Sequence, residues 1–150
     1  MKHVNKLALA AATAMLAFGT PGVTVAADAD ILQQAQDRAL IDDLMWSYVR
    51  ALDSMNESAY VEVFTTDGSF TSGTNVTKGR AALKKMVTDL KKSRAEREAK
   101  GEPKSPPMHH IITNARVEFL GKDRARYHSY WMTVFAGAPN SQPPRVAAAG

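Results

Sequence analysis

Two runs of strand-forming residues, His109 to Leu120 and Arg124 to Phe135, flank the turn Gly121-Lys122-Asp123. Both runs are rich in Ile, Val, Phe, Tyr, Trp and Thr, which suit a pleated, half-buried surface, and the polar link between them contains a glycine. They predict a long antiparallel hairpin. Ahead of them the pattern is mostly helical. From Asp30 to Leu52 the apolar residues Leu32, Ala35, Leu40, Ile41, Leu44, Tyr48 and Leu52 recur at three- and four-residue intervals, the stripe of an amphipathic helix ending near Asp53. Asp30 with Gln33 reads as a capping-box-like start for it. Asn56 to Phe64 predicts a second, short helix, and Phe64-Thr-Thr-Asp67-Gly68 a turn into a strand at Ser69 to Ser72 with Gly73-Thr-Asn75 as a hairpin tip. Gly79 to Lys100 predicts a third helix with Leu83, Met86, Val87 and Leu90 facing inward, stopped by Gly101 and Pro103. Pro139 to Pro144 reads as a loop, and Arg145 to Ala149 as a last strand.

Helices first and antiparallel strands after them, with no alternation of strand and helix, predict an α+β domain in which a curved, cone-shaped sheet packs against helices. Its natural pocket lies between the concave face of the sheet and the first helix. The length of 150 residues suits one such domain, and 45% hydrophobic residues suffice for its core.

Residues 1–27 read as a separate signal peptide. Lys2 and Lys6 precede the apolar run Leu7 to Phe18, Pro21-Gly22 interrupt it, and Val25-Ala26-Ala27 supply small residues at a cleavage site. The run is shorter than the roughly 20 residues needed to span a bilayer, so the expectation is an exported domain over 28–150, periplasmic or secreted, with no stable membrane insertion after cleavage. Cleavage would remove two of the 19 basic residues and none of the 15 acidic ones, which leaves the chain close to neutral. The remaining basicity gathers between Lys78 and Lys104, a stretch without a single aromatic to stack on bases, so it reads as a solvated helix face and not as a nucleic-acid surface. The absence of cysteine excludes thiolate metal sites and cysteine nucleophiles.

The residues suited to chemistry fall in two distant segments, Tyr48-Val-Arg-Ala-Leu-Asp53 and Met108-His-His-Ile-Ile-Thr-Asn114. They offer a phenol, a carboxylate and an imidazole. Each also has a plain structural reading: Asp53 as a helix-ending carboxylate, Tyr48 as part of the apolar stripe, and a strand histidine as a hydrogen-bonded core residue. Tyr48 and Asp53 lie five positions apart, roughly 500° around an ideal helix, and so do not share a face of it. His109 and His110 alternate, and His110 shares its face with Ile112 and Asn114 in a regular strand. A carboxylate on one ring nitrogen would fix the tautomer and raise the basicity of the other, making a general base. In the next strand alternation puts His128 and Tyr130 on one face and Tyr127, Ser129 and Trp131 on the other. Neighbouring strand histidines diverge, and no clustered acids accompany them, so no metal site is expected. Glycine-rich phosphate loops and Gly-x-Ser-x-Gly elbows are absent from the sequence.

Five segments in order give the chain a resemblance: Tyr48 to Asp53, Phe64 to Gly68, Gly79-Arg80, His110-Ile-Ile-Thr-Asn114-Ala-Arg-Val-Glu118, and Ala125 through Tyr130. Together they resemble the SnoaL-like branch of the nuclear-transport-factor-2-like superfamily, over nearly the whole of the chain after residue 27. That resemblance implies a cofactor-independent enzyme, a dehydratase-type lyase or an isomerase, acting on a hydrophobic or cyclic small molecule. Its dehydratase and dehydrochlorinase members imply an aspartate and histidine dyad at Asp53 and His110, and the dehydratase resemblance a functional tyrosine at Tyr48; Asn114, His128, Tyr130 and Trp131, read from their strand positions, are the candidate substrate-contacting wall residues. A ketosteroid-isomerase mechanism on the same fold would place its aspartate base near Ser72, and serine cannot take that role. The alternative is a non-catalytic member that binds a small ligand or forms a homo-oligomer through its sheet. The family pattern also implies a further strand beyond Ala147-Ala-Ala-Gly150, so the expectation over 28–150 is a cone without its final strand, either because the domain is C-terminally incomplete here or because this member has an incomplete cone.

Overall fold

A computed structural model describes residues 22–137 and 143–150, with side chains from Ala29 onward. Residues 1–21 of the expected signal peptide, residue 138, and 139–142 of the expected loop lie outside the described residues. The chain forms two compact units, one ending at Ala35 and one running from Gln36 to Gly150. The described part of the first is helical, and the second holds the sheets and the candidate site.

The elements are α1 (Gly22–Asp53), α2 (Glu57–Glu62), β1 (Ser69–Ser72), β2 (Asn75–Lys78), α3 (Arg80–Ala99), β3 (Met108–Phe119), β4 (Ala125–Phe135) and β5 (Arg145–Ala149). This is the expected α+β arrangement. Helix α1 starts well before Asp30, which therefore lies inside it and caps nothing. Ala26, Ala27 and Ala29 explain the difference, because alanine is the strongest helix former and nothing there stops the helix. The stripe on α1 is buried only near its end. Ala51 is buried and Tyr48 and Leu52 pack against the core, whereas Leu40 and Leu44 are exposed.

The end of α1 is shaped by a Schellman motif. The Asn56 amide donates to the Ala51 carbonyl at 2.9 Å and the Met55 amide to Leu52 at 3.0 Å, with Met55 at φ 52° in the left-handed position glycine usually fills. Burial of the Met55 side chain compensates for that strain. Asn56 then caps α2 by accepting from the Ala59 amide at 3.0 Å. Arg80 ties the start of α3 to the turn after α2, its Nε and Nη2 both donating to the Phe64 carbonyl at 2.9 and 2.7 Å. Tyr60, Leu83 and Val87 are the fully buried centre, joined by Ala51, Met55, Val61 and Met108.

Two antiparallel sheets form, a β1-β2 hairpin and a three-stranded sheet in the order β3-β4-β5. The sheets stay open, as expected of a cone without its final strand: among the described residues β1-β2 pairs only with itself, and β3 and β5 are edges. His110 pairs opposite Thr133 and Ile112 opposite Trp131, after which the register slips by one residue between Thr113 and Arg116. Asn114, at φ 52°, makes that bulge; asparagine tolerates the left-handed conformation better than most residues. Because the bulge inserts one residue, the face carrying Met108, His110 and Ile112 continues through Val117 and Phe119.

Candidate active site

Strand β3 is an edge, so the backbone amides it does not spend on β4 are open to other partners. The carboxylate that ends α1 takes one of them. Asp53 Oδ1 accepts from the His110 backbone amide at 3.0 Å and lies 2.7 Å from His110 Nδ1. Both side chains are largely shielded, at 11% exposure for Asp53 and 18% for His110. The Schellman turn sets the reach of Asp53, and the strand sets the direction of the imidazole. Asp53 Oδ2 also faces His109 Nδ1 at 4.0 Å, although the His109 ring is more than half exposed.

Tyr48 lies elsewhere on α1. Its ring packs against Tyr60 and Phe64, with centroids 5.6 and 6.2 Å away, and no hydrogen bond among the described residues joins it to Asp53 or His110. Burial raises the Tyr48 phenol above its usual range, the Tyr60 hydroxyl partly opposing this, so it is a proton donor at neutral pH. Among the described residues the buried Tyr60 hydroxyl reaches no partner at hydrogen-bond geometry, the Tyr48 hydroxyl lying near it but outside that geometry; burial raises it too, and the nearby Tyr48 phenol pushes in the same direction.

Among the remaining candidates, Trp131 shares the His110 face of the sheet, since its partner is Ile112. His128 and Tyr130 stand on the opposite face, where they pair with Arg116 and Thr113. There His128 Nε2 lies 3.2 Å from Glu118 Oε2, and Arg126 Nη1 lies 3.4 Å from the same oxygen. The His128 hydrogen bond is the main cause that lowers the Glu118 carboxyl, with Arg126 and Arg116 adding to it. Asn114 occupies the bulge and, with Arg116, Glu118, His128 and Tyr130, lines a cavity of about 660 Å³ on that outer face. Thus the structure brings Asp53 and His110 together, and it separates His128 and Tyr130 from them.

Two further concavities are described. One of about 460 Å³ lies between Leu40, Ile41, Leu44 and Met45 of α1 and the β3-β4 turn, with Phe119 and Tyr127 among its walls. Another of about 570 Å³ lies between α3, the loop at Pro103 to Pro106, and Phe135. Neither Asp53 nor His110 lines any of the three. No group of three or more metal-ligating side chains occurs among the described residues, and no described helix is long and apolar enough to cross a membrane.

A family model described as a SnoaL-like domain matches residues 33–150. The chain therefore belongs to the SnoaL-like family. Solved structures agree on the fold. A Mycobacterium tuberculosis protein of unknown function is 21% identical with a TM-score of 0.63, covering 80% of this chain and 62% of its own. A nuclear-transport-factor-2-like protein with a cystatin-like fold from Novosphingobium aromaticivorans is 22% identical at 0.61, covering 81% and 71%. A hexachlorocyclohexane dehydrochlorinase from Novosphingobium barchaimii is 21% identical at 0.56, covering 69% and 65%. The chain thus spans less than two thirds of the first and third of these proteins. No curated protein matches it.

Proposed function

We propose that the chain is a cofactor-independent lyase-type enzyme that removes a proton from carbon in a hydrophobic or cyclic small molecule, with His110 as the base and Asp53 as its positioning partner. The observation that carries this reading is Asp53 Oδ1 bonded at once to the backbone amide and Nδ1 of His110. An ionised carboxylate can only accept, so against it the imidazole carries its proton on Nδ1 and presents the Nε2 lone pair. In an elimination Nε2 takes the proton, the C–H electrons become the new double bond, and the leaving group departs with its bonding pair. The imidazolium that forms is stabilised by Asp53. Tyr48, held protonated by burial, is the proposed hydrogen-bond donor to a carbonyl or leaving group. The dehydrochlorinase among the solved neighbours supports an elimination chemistry.

The test is exchange of substrate carbon-bound hydrogen in deuterium oxide, read by mass spectrometry across a panel of cyclic β-hydroxy ketones and chlorinated cyclohexanes. Wild-type exchange should fall by about 100-fold or more in both His110→Asn and Asp53→Asn. Exchange at the wild-type rate in His110→Asn would overturn the assignment. A second reading, a small-ligand-binding module without catalysis, is favoured by one observation: the three concavities leave Asp53 and His110 outside their walls. Ligand binding with no exchange would select it.

Residues 1–27 are proposed to direct export. N-terminal sequencing of protein recovered from the periplasm or medium should start near Asp28, and an uncleaved Met1 end on cell-retained protein would overturn that.

A further inference from the structure

The basic stretch of α3 does not face solvent throughout. Arg94 turns inward, its Nη2 3.5 Å from Met108 Sδ and its guanidinium 5.8 Å from the Phe135 ring. Arg145 approaches the same ring from β5, at 4.8 Å. Arg97 and Lys104 join them around the cavity of about 570 Å³, and no carboxylate among the described residues lines it. Glu98 of α3 accepts from the Ser105 backbone amide at 3.3 Å. Four cations around one concavity repel each other, and burial followed by repulsion from Arg97 weakens the hold of Arg94 on its proton, with Glu98 opposing. Among the described residues no ion pair offsets Arg94, Arg97, Lys104 or Arg145.

The walls are of the other kind. Leu90, Phe135 and the prolines 103, 106 and 143 present apolar surface beside the charges. Guanidinium groups offer paired donors that match the two oxygens of a carboxylate or phosphate, and a concave low-dielectric wall focuses their field. We infer that this cavity binds an oxyanion carried on an apolar body, the carboxylate or phosphate of a hydrophobic small molecule. Phe135 lies opposite Met108, two positions before His110 on the same face, so the cavity opens at the dyad's end of the sheet. The inference goes beyond the proposed chemistry, because it concerns binding and holds whether or not the dyad reacts.

The test is calorimetric titration of the full chain with three probes of one shape: naphthalene carboxylate, naphthyl phosphate and the neutral naphthalene carboxamide. Both anions should bind at least about tenfold more tightly than the amide, more weakly as salt rises, and the tighter of the two names the headgroup. Replacing the exposed cations together, Arg97→Gln with Lys104→Gln, should cut anion affinity severalfold and leave the amide unchanged; Arg94→Met should remove the preference altogether. His110→Asn should leave all three affinities unchanged, so a failure of the chemistry and a failure of this site read out separately. Equal affinities for the three probes, no binding of either anion, or an unchanged anion affinity in the double variant would each overturn the inference.

Discussion

Among the described residues the buried Tyr60 hydroxyl meets no partner at hydrogen-bond geometry, and a buried donor without a partner costs stability relative to a carbon at the same place. Tyr60→Phe should therefore be neutral or stabilising, by up to about 1 kcal/mol, in urea unfolding. The same residue governs behaviour at alkaline pH. Below about pH 10 the folded and unfolded chains both keep the phenolic proton; above it the unfolded chain loses its proton first, because burial raises the folded-state phenols of Tyr60 and Tyr48. Stability should fall as pH rises past about 10, and the fall should be shallower in Tyr60→Phe. An unfolding midpoint independent of pH in that range would contradict the burial argument. Neither effect could be foreseen from the sequence, where Tyr60 is one aromatic in a short helix and its hydroxyl has no visible fate.

At the level of elements, the bulge at Asn114 decides which side chains share a face. Asn114→Gly should be tolerated, whereas Asn114→Val, which places a β-branched side chain at positive φ, should cost about 1–2 kcal/mol and disturb the β3-β4 register. Chemical shifts along β3 would report the disturbance. Regular alternation puts Asn114 with His110 and Ile112, and the inserted residue breaks that rule. What was legible has a local cause. Ser69–Ser72 and Arg145–Ala149 match their expected spans, and α3 lies one residue inside its expected ends, because turn residues such as Gly73, Gly79 and Gly101 bound them. The start of α1 was not legible, since alanines continue a helix past an acceptable cap at Asp30. In the sequence Arg94 looks like one more solvated charge, because Met108 and Phe135, which turn it inward, are distant in the chain.

For the whole molecule, burial is concentrated where α1, α2, α3 and the start of β3 meet, with Leu83 and Val87 of α3 at its centre. Leu83→Ala should cost about 2–5 kcal/mol, a large part of the stability of a domain this size, seen as a lowered thermal midpoint. The same change at exposed Leu40 should cost far less. The α+β class was readable from the order of patterns, and the open sheet is a matter of strand pairing that periodicity does not encode. The two segments of the candidate site were visible as residue types; their approach depends on the turn after α1 and on the free edge of β3. That approach has a practical consequence. The His110 amide proton is held by a carboxylate and not by the sheet, so its resonance and its exchange rate form a built-in gauge of the dyad. In wild type the proton should exchange slowly for an edge-strand amide, and Asp53→Ala should release it while Thr133 across the strand keeps its protection. The gauge needs no substrate, and so the integrity of the pair can be followed in any variant or solvent.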